Sequence, residues 1–234
     1  MADSGTIDDH YYQAARPNTL AERRMIRARD DAYATFIKMM APAPDDPILD
    51  IGVSDVVGDG ANALERLYPF PDRITAAGLG EGTDFRAAFP PVTYRQIEAN
   101  RPLPFADGQF AIATSNAVLE HVGSTENQRA LLAEMCRVAR RVFVTVPNRL
   151  FPVEHHTSIP FLHYTGPSFA LACRLIGRSE WTLPENLILM SRGRLARLVP
   201  SGMNATTGHC GLRLGPFSSN LFLSLAPAGA RVAA

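Results

Sequence analysis

Residues 47–67, PILDIGVSDVVGDGANALERL, pass from an apolar segment through an acidic residue and a glycine-bearing loop into helical spacing, and they constrain the fold more than any other stretch. Ile48, Leu49 and Ile51 form a short buried strand, Asp50 and Gly52 stand at its C-terminal edge, and Ala61, Leu64 and Leu67 recur with the period of a helix. Strand, loop and helix in this order make a nucleotide-type site. The helix N-terminus offers free amide donors, and glycine lets a ligand approach the backbone. The same unit also occurs in doubly wound domains that hold no ligand there, so its neighbours must decide.

Those neighbours alternate between strand and helix. Thr19 and Glu22 form a capping box for a helix whose face is Ile26, Tyr33, Phe36, Ile37 and Met40 and which Pro42 ends. Strands are expected at 73–77, ending at Gly78, at 92–97, with Glu98 beyond it, at 110–114 and at 142–146, ended by Pro147. A short helix is expected over 85–89. A longer amphipathic one is expected over 124–139, capped by Thr125 with Gln128 and burying Leu131, Leu132, Met135 and Val138. After a helix at 191–198, segments 210–214 and 221–225 pair across Gly215 and Pro216 as a hairpin. The expected fold is therefore α/β: a Rossmann-like, doubly wound, mostly parallel seven-stranded sheet with a C-terminal antiparallel hairpin and an inserted lid at about 148–190. Residues 1–14 are expected to be a flexible tail, and 15–234 a single domain.

Composition narrows the partners. With 23 basic against 23 acidic residues in a 234-residue chain, no net field would hold nucleic acid or an anionic membrane. Apolar residues make up 46% of the chain, enough for one large core, yet no run approaches the roughly 20 residues that cross a bilayer. Three cysteines without a C-x-x-C pair give neither a disulfide framework nor a zinc cluster. A cytoplasmic protein with no integral membrane segment and no nucleic-acid partner is expected.

The series LDIG, LPFADGQF, SNAVLEHV and VFVTVPN resembles the class I S-adenosylmethionine-dependent methyltransferases of the small-molecule branch, over about residues 47–148. A narrower likeness is to a bacterial subgroup with D-x-G-V in the first loop, here Asp50–Val53, and P-x-E-x-H-T after the fifth strand, here Pro152–Thr157. The resemblance implies S-adenosylmethionine as cofactor and a small-molecule, glycan or lipid-linked acceptor. It places Asp50, Gly52, Val53 and Ser54 at the donor's amino-acid and ribose end, Glu98 near adenine and Asn116 beside the methionine portion. Methyl transfer from a sulfonium needs placement more than acid or base, and positioning can supply about 7–11 kcal/mol.

Two departures from that family stand out. Ser54 and Val56 occupy places where glycines are common, and a β-branched valine resists positive φ; the turn is expected to shift toward Gly58 and Gly60, delaying the helix. Gly78 replaces the acid that usually ends the second strand, leaving Glu81 or Asp84 as substitute for the ribose hydroxyls.

Residues 148–190 hold Glu154, His155, His156 and His163 among aromatic and apolar side chains, followed by Trp181. Their spacing fits no standard zinc pattern, so no metal is expected. Candidate catalytic residues are Glu154 and His156, with His121 as rival base; Glu120 reads as a helix-start residue. Two other readings stay open: a catalytically silent methyltransferase-like scaffold or partner protein, and a Rossmann-like enzyme of another nucleotide. The absence of a downstream G-x-G-x-x-G weakens the last.

Overall fold

Strands buried on both faces must send alternate side chains into two different cores, and the central strands do so. The computed structural model describes residues 19–57 and 60–229. The expected tail and Gly58 lie outside these. Parallel strands β1 (Ile48–Ile51), β2 (Ile74–Gly78), β3 (Thr93–Gln96), β4 (Phe110–Asn116) and β5 (Ala139–Pro147) join β6 (Met203–Leu214) and β7 (Phe217–Pro227) in the order β3-β2-β1-β4-β5-β7-β6. β7 runs antiparallel to both β5 and β6.

On one face Leu49, Ile51, Val142, Val144, Leu221 and Leu223 pack with Met135 and Leu195. On the other, Ile48, Ile112, Phe143 and Phe222 pack with Ala32, Phe36 and Met40. The first face is covered by α4 (Thr125–Val138) and α6 (Arg192–Leu198), the second by α1 (Leu20–Met40), α2 (Ala63–Leu67) and α3 (Thr83–Ala88). Each fully buried aliphatic or aromatic side chain contributes about 1.5–3 kcal/mol relative to exposure. Phe143 stacks on Phe222 at 5.7 Å and meets Phe36 edge-on at 5.6 Å, fixing α1 over β5 and β7.

Sequence and structure differ at several boundaries. α1 carries the expected cap, Glu22 N donating to Thr19 Oγ1. On α4 the cap is Ser124, whose Oγ accepts from Asn127 N at 3.0 Å, not Thr125. Gln128 is fully buried: its Nε2 donates to Leu119 O at 2.9 Å, and Arg194 Nε donates to its Oε1 at 3.1 Å. A buried polar residue that both donates and accepts in this way can be a core anchor, which capping spacing does not foresee. Leu131 is only partly buried, and β3 is a largely exposed edge strand. The hairpin is longer than expected because β6 begins at Met203.

Residues 148–190 fold into two 3₁₀ turns and α5 (Gly166–Leu175) around a core of their own, comprising Ile159, Phe169, Ala172, Cys173, Trp181 and Leu187. This segment stands beyond the C-terminal end of β5. Among the described residues no helix is long and apolar enough to cross a membrane.

Candidate active site

The C-terminal ends of the parallel strands open into a cleft of about 1720 Å³. Its donor end is built by the loop between β1 and α2. Gly52 N donates to Ala77 O at 2.7 Å while Gly52 holds φ +89°, and a Cβ there would lie 2.2 Å from Val118 Cγ2. Only glycine fits that position. Asn62 clasps the far side of the loop, its Oδ1 accepting from Ser54 N at 3.0 Å and its Nδ2 donating to Ser54 O at 2.8 Å. Asn62 itself is left-handed, with φ 56° and ψ 50°, and Gly60 has φ +77°. Among the described residues the turn falls at Gly60–Asn62 and the helix starts at Ala63.

Asp50 is buried at the end of β1 and faces Glu65 of α2. Burial first, then repulsion from Glu65, holds the Asp50 carboxyl well above its ordinary range, and burial lifts Glu65 to about 7. Neither Glu65 oxygen finds a hydrogen-bond donor among the described residues, other than a proton held between the two carboxyls. Sequence reading missed Glu65. It lies in the five-residue helix Ala63–Leu67, and its burial against Asp50 is a tertiary feature that no local pattern marks.

Asp50, Gly52, Val53, Ser54, Glu98 and Asn116 all line the cleft. The Ser54 hydroxyl turns to accept from Val56 N at 3.0 Å, and Asn116 Oδ1 accepts from the Thr145 hydroxyl. Glu98 is solvent-exposed beside Arg101, 3.9 Å away. Glu81 is not brought in: it is exposed and outside the cleft lining. Gly78 cannot be the usual acid, since a Cβ there would lie 2.6 Å from Tyr94 Oη, and that hydroxyl donates to Gly80 O at 2.7 Å. Tyr94 occupies the space an acidic side chain would need.

The opposite end of the cleft brings together residues distant in sequence. Ala117, left-handed at φ 57°, turns the chain off β4 into the 3₁₀ turn Leu119–His121. His121 Nδ1 lies 2.6 Å from Asn186 O, and its Nε2 lies 3.2 Å from His156 Nε2. His156 Nδ1 lies 2.8 Å from Glu154 Oε1. Glu154 Oε2 accepts from His156 N, Thr157 N and Thr157 Oγ1 at 3.0, 2.6 and 2.7 Å. Burial would raise the Glu154 carboxyl, but these hydrogen bonds and the His156 imidazole outweigh it and hold it down at about 2. Trp181 lies against the His156 ring at 4.8 Å. The three expected catalytic residues thus form one cluster, and His121, Glu154 and His156 line the cleft. Glu120 belongs with them: it is buried, neither of its oxygens has a hydrogen-bond partner among the described residues, and burial raises it to about 7.

Residues 55–142 match the family model described as methyltransferase domain. The chain has the α/β Rossmann-like methyltransferase fold, and the matched methyltransferase domain lies within it. No functionally curated sequence matches the chain. Among solved structures, magnesium protoporphyrin IX methyltransferase from Synechocystis PCC 6803, with bound S-adenosylhomocysteine, superposes with TM-score 0.60 at 12% identity, over 96% of this chain and 99% of that one. A possible histamine N-methyltransferase from Thermotoga maritima gives 0.54 at 15% identity, over 88% and 91%. A methyltransferase from Methanosarcina mazei gives 0.53 at 16% identity, over 84% and 98%. At these identities the likeness is one of fold. The donor end fits a cationic cofactor on its own evidence: the carboxyls of Asp50 and Glu65 are both buried there, beside a backbone that glycine keeps open.

Proposed function

We propose that the protein transfers a methyl group from S-adenosylmethionine to a small-molecule, glycan or lipid-linked acceptor bound against the His121–His156 cluster. The observation that carries this reading is that one cleft joins Asp50 at the donor end to His121, Glu154 and His156 at the other. Asp50, supported by Glu65, would hold the cationic amino-acid end of the donor. Gly52, Val53 and the clasped Ser54 would form its backbone cradle, with Glu98 toward adenine and Asn116 beside the methionine portion. The donor supplies an electrophilic methyl on a sulfonium and leaves as a thioether.

On the acceptor side, Glu154 fixes the His156 ring and the Asn186 carbonyl fixes His121, so both imidazoles present Nε2 to the reacting region. That pair would activate the acceptor nucleophile. Residues 148–190 would act as a lid, since this segment supplies Glu154, His156 and Asn186 and is built on its own small core. Its exposed Phe161, Leu162, Leu171 and Leu175 support an acceptor or carrier with an apolar portion.

Saturating S-adenosylhomocysteine is expected to raise the melting temperature, because a ligand at 100 times its Kd adds about 2.7 kcal/mol. No shift and no calorimetric heat at millimolar ligand would favour a silent scaffold. With an identified acceptor, His156→Ala should slow transfer about 10²- to 10⁴-fold while S-adenosylhomocysteine affinity is preserved. Turnover unchanged at saturation would remove His156 from the reaction.

A further inference from the structure

The proton positions of the two histidines are fixed by what their other nitrogens touch. A backbone carbonyl only accepts, so His121 Nδ1, 2.6 Å from Asn186 O, carries a hydrogen. Glu154, which already accepts from His156 N and from both the backbone and hydroxyl of Thr157, is an ionised acceptor, so His156 Nδ1 carries a hydrogen as well. In their neutral forms both rings therefore turn an unprotonated Nε2 toward the other, 3.2 Å apart. Two lone pairs at that separation repel unless an electrophile sits between them.

A third lone-pair donor converges on the same point. Glu120 is 1% exposed, both its oxygens lack hydrogen-bond partners among the described residues, and its Oε1 lies 4.0 Å from His121 Nε2. One ligand atom from each of Glu120, His121 and His156 falls within 4.8 Å of the others.

We propose that Glu120, His121 and His156 form a binding site for a divalent transition-metal cation of the zinc class. Three features of the geometry favour a metal over a proton shared by the imidazoles. Tetrahedral coordination with nitrogens about 2.0–2.1 Å from the ion gives a nitrogen–nitrogen edge of about 3.3 Å, close to the separation found. A proton on the line between the two rings would leave the buried Glu120 oxygens without a partner, whereas a cation engages all three groups after a small side-chain shift of Glu120. Each ring nitrogen remote from the centre donates to a carboxylate or a backbone carbonyl, the outer contact that orients metal-binding histidines.

Two histidines and one glutamate leave a fourth position, and His121 and His156 line the cleft, so that position faces the acceptor. This rests on the acceptor-side reading above and gives it a means. An acceptor hydroxyl bound there would lose its proton to solvent more readily. Its oxygen would then bond to the methyl carbon as the sulfur–methyl bond breaks, yielding a methyl ether, S-adenosylhomocysteine and one released proton.

The test uses the full chain, stripped by a chelator and titrated with Co²⁺ and with Zn²⁺, without any acceptor. One equivalent of Co²⁺ should bind and give the visible absorption of a four-coordinate nitrogen- and oxygen-ligated ion. His156→Ala and the near-isosteric Glu120→Gln should each weaken Zn²⁺ binding by about 100-fold or more, at or beyond the upper end seen for outer-shell changes. No stoichiometric binding by the wild-type protein, or affinity untouched by both substitutions, would overturn the site. An imidazole pair that nitrogen NMR finds holding one proton at saturating Zn²⁺ would overturn it too. S-adenosylhomocysteine calorimetry on the same samples separates the readings: donor binding without metal binding sinks only the cation site, and metal binding without donor binding sinks only the methyltransferase reading.

Discussion

Asn62 holds Ser54 by both of its backbone polar groups, across a loop in which Asn62 itself is left-handed. Asn62→Ala removes two hydrogen bonds of about 1 kcal/mol each and adds left-handed strain. A loss of roughly 2–4 kcal/mol in denaturant unfolding is expected, with weaker S-adenosylhomocysteine binding. Asn62→Gly, which keeps the backbone conformation at ease, should lose less. Equal losses for the two would show that φ at this position is immaterial.

Gly52→Ala should be more damaging to the site. The added Cβ would lie 2.2 Å from Val118 Cγ2, on a backbone at φ +89°. Calorimetry should find no donor binding, and the melting temperature should fall. Combining it with Val118→Ala relieves the collision but not the conformation, so recovery should be partial. Full recovery would mean that crowding alone keeps glycine at this position.

The Asp50–Glu65 pair should make the ligand-free protein less stable at higher pH. A carboxyl whose folded value is raised leaves stability intact below its unfolded value, near 4.3, and loses it as pH rises through the folded value, here about 7 for Glu65. Glu120 acts with the same sign. Unfolding curves between pH 5 and 8 should therefore flatten in Glu65→Gln. A cationic donor favours the ionised pair, so binding near pH 6 should release protons, seen calorimetrically as a dependence on buffer ionisation heat. Heats independent of buffer would dissociate the pair from the donor.

Glu154 has the opposite sign. Held down at about 2, it contributes stability that is complete above its unfolded value and disappears as pH falls from about 5 toward 2. The shift corresponds to something on the order of 3 kcal/mol. Glu154→Gln should lose most of this at neutral pH and show a shallower acid limb in thermal melts. An unchanged acid limb would mean that other carboxylates dominate acid unfolding.

Gln128→Leu tests what holds the turn bearing Glu120 and His121. Fully buried Gln128 donates to Leu119 O and accepts from the half-buried Arg194. Leaving the Leu119 carbonyl buried without a donor and Arg194 without this acceptor should cost roughly 2–4 kcal/mol. A stability loss below 1 kcal/mol would indicate that the turn is fixed by packing alone.

The strand and helix order, the capping of α1, the seven-stranded sheet and its terminal hairpin were determined by the sequence itself, because periodicity of 2 or 3.6, proline stops and capping pairs are local properties. Asp50, Gly52 and Asn116 were legible for a related reason: strand ends in a parallel sheet all open on one edge. Ser124 displaced Thr125 as the cap because either spacing was locally acceptable and only the packing of Gln128 chose between them. Glu81 stands exposed outside the cleft, while Tyr94 of the neighbouring strand fills the space next to Gly78, a contact that no local pattern records. Glu65 and Glu120 became site residues only when the tertiary structure buried them, and the meeting of His121 with His156 closes a gap of 35 residues. Burial, protonation and lone-pair direction depend on what the fold brings within a few ångströms, so they were decided by the tertiary structure alone.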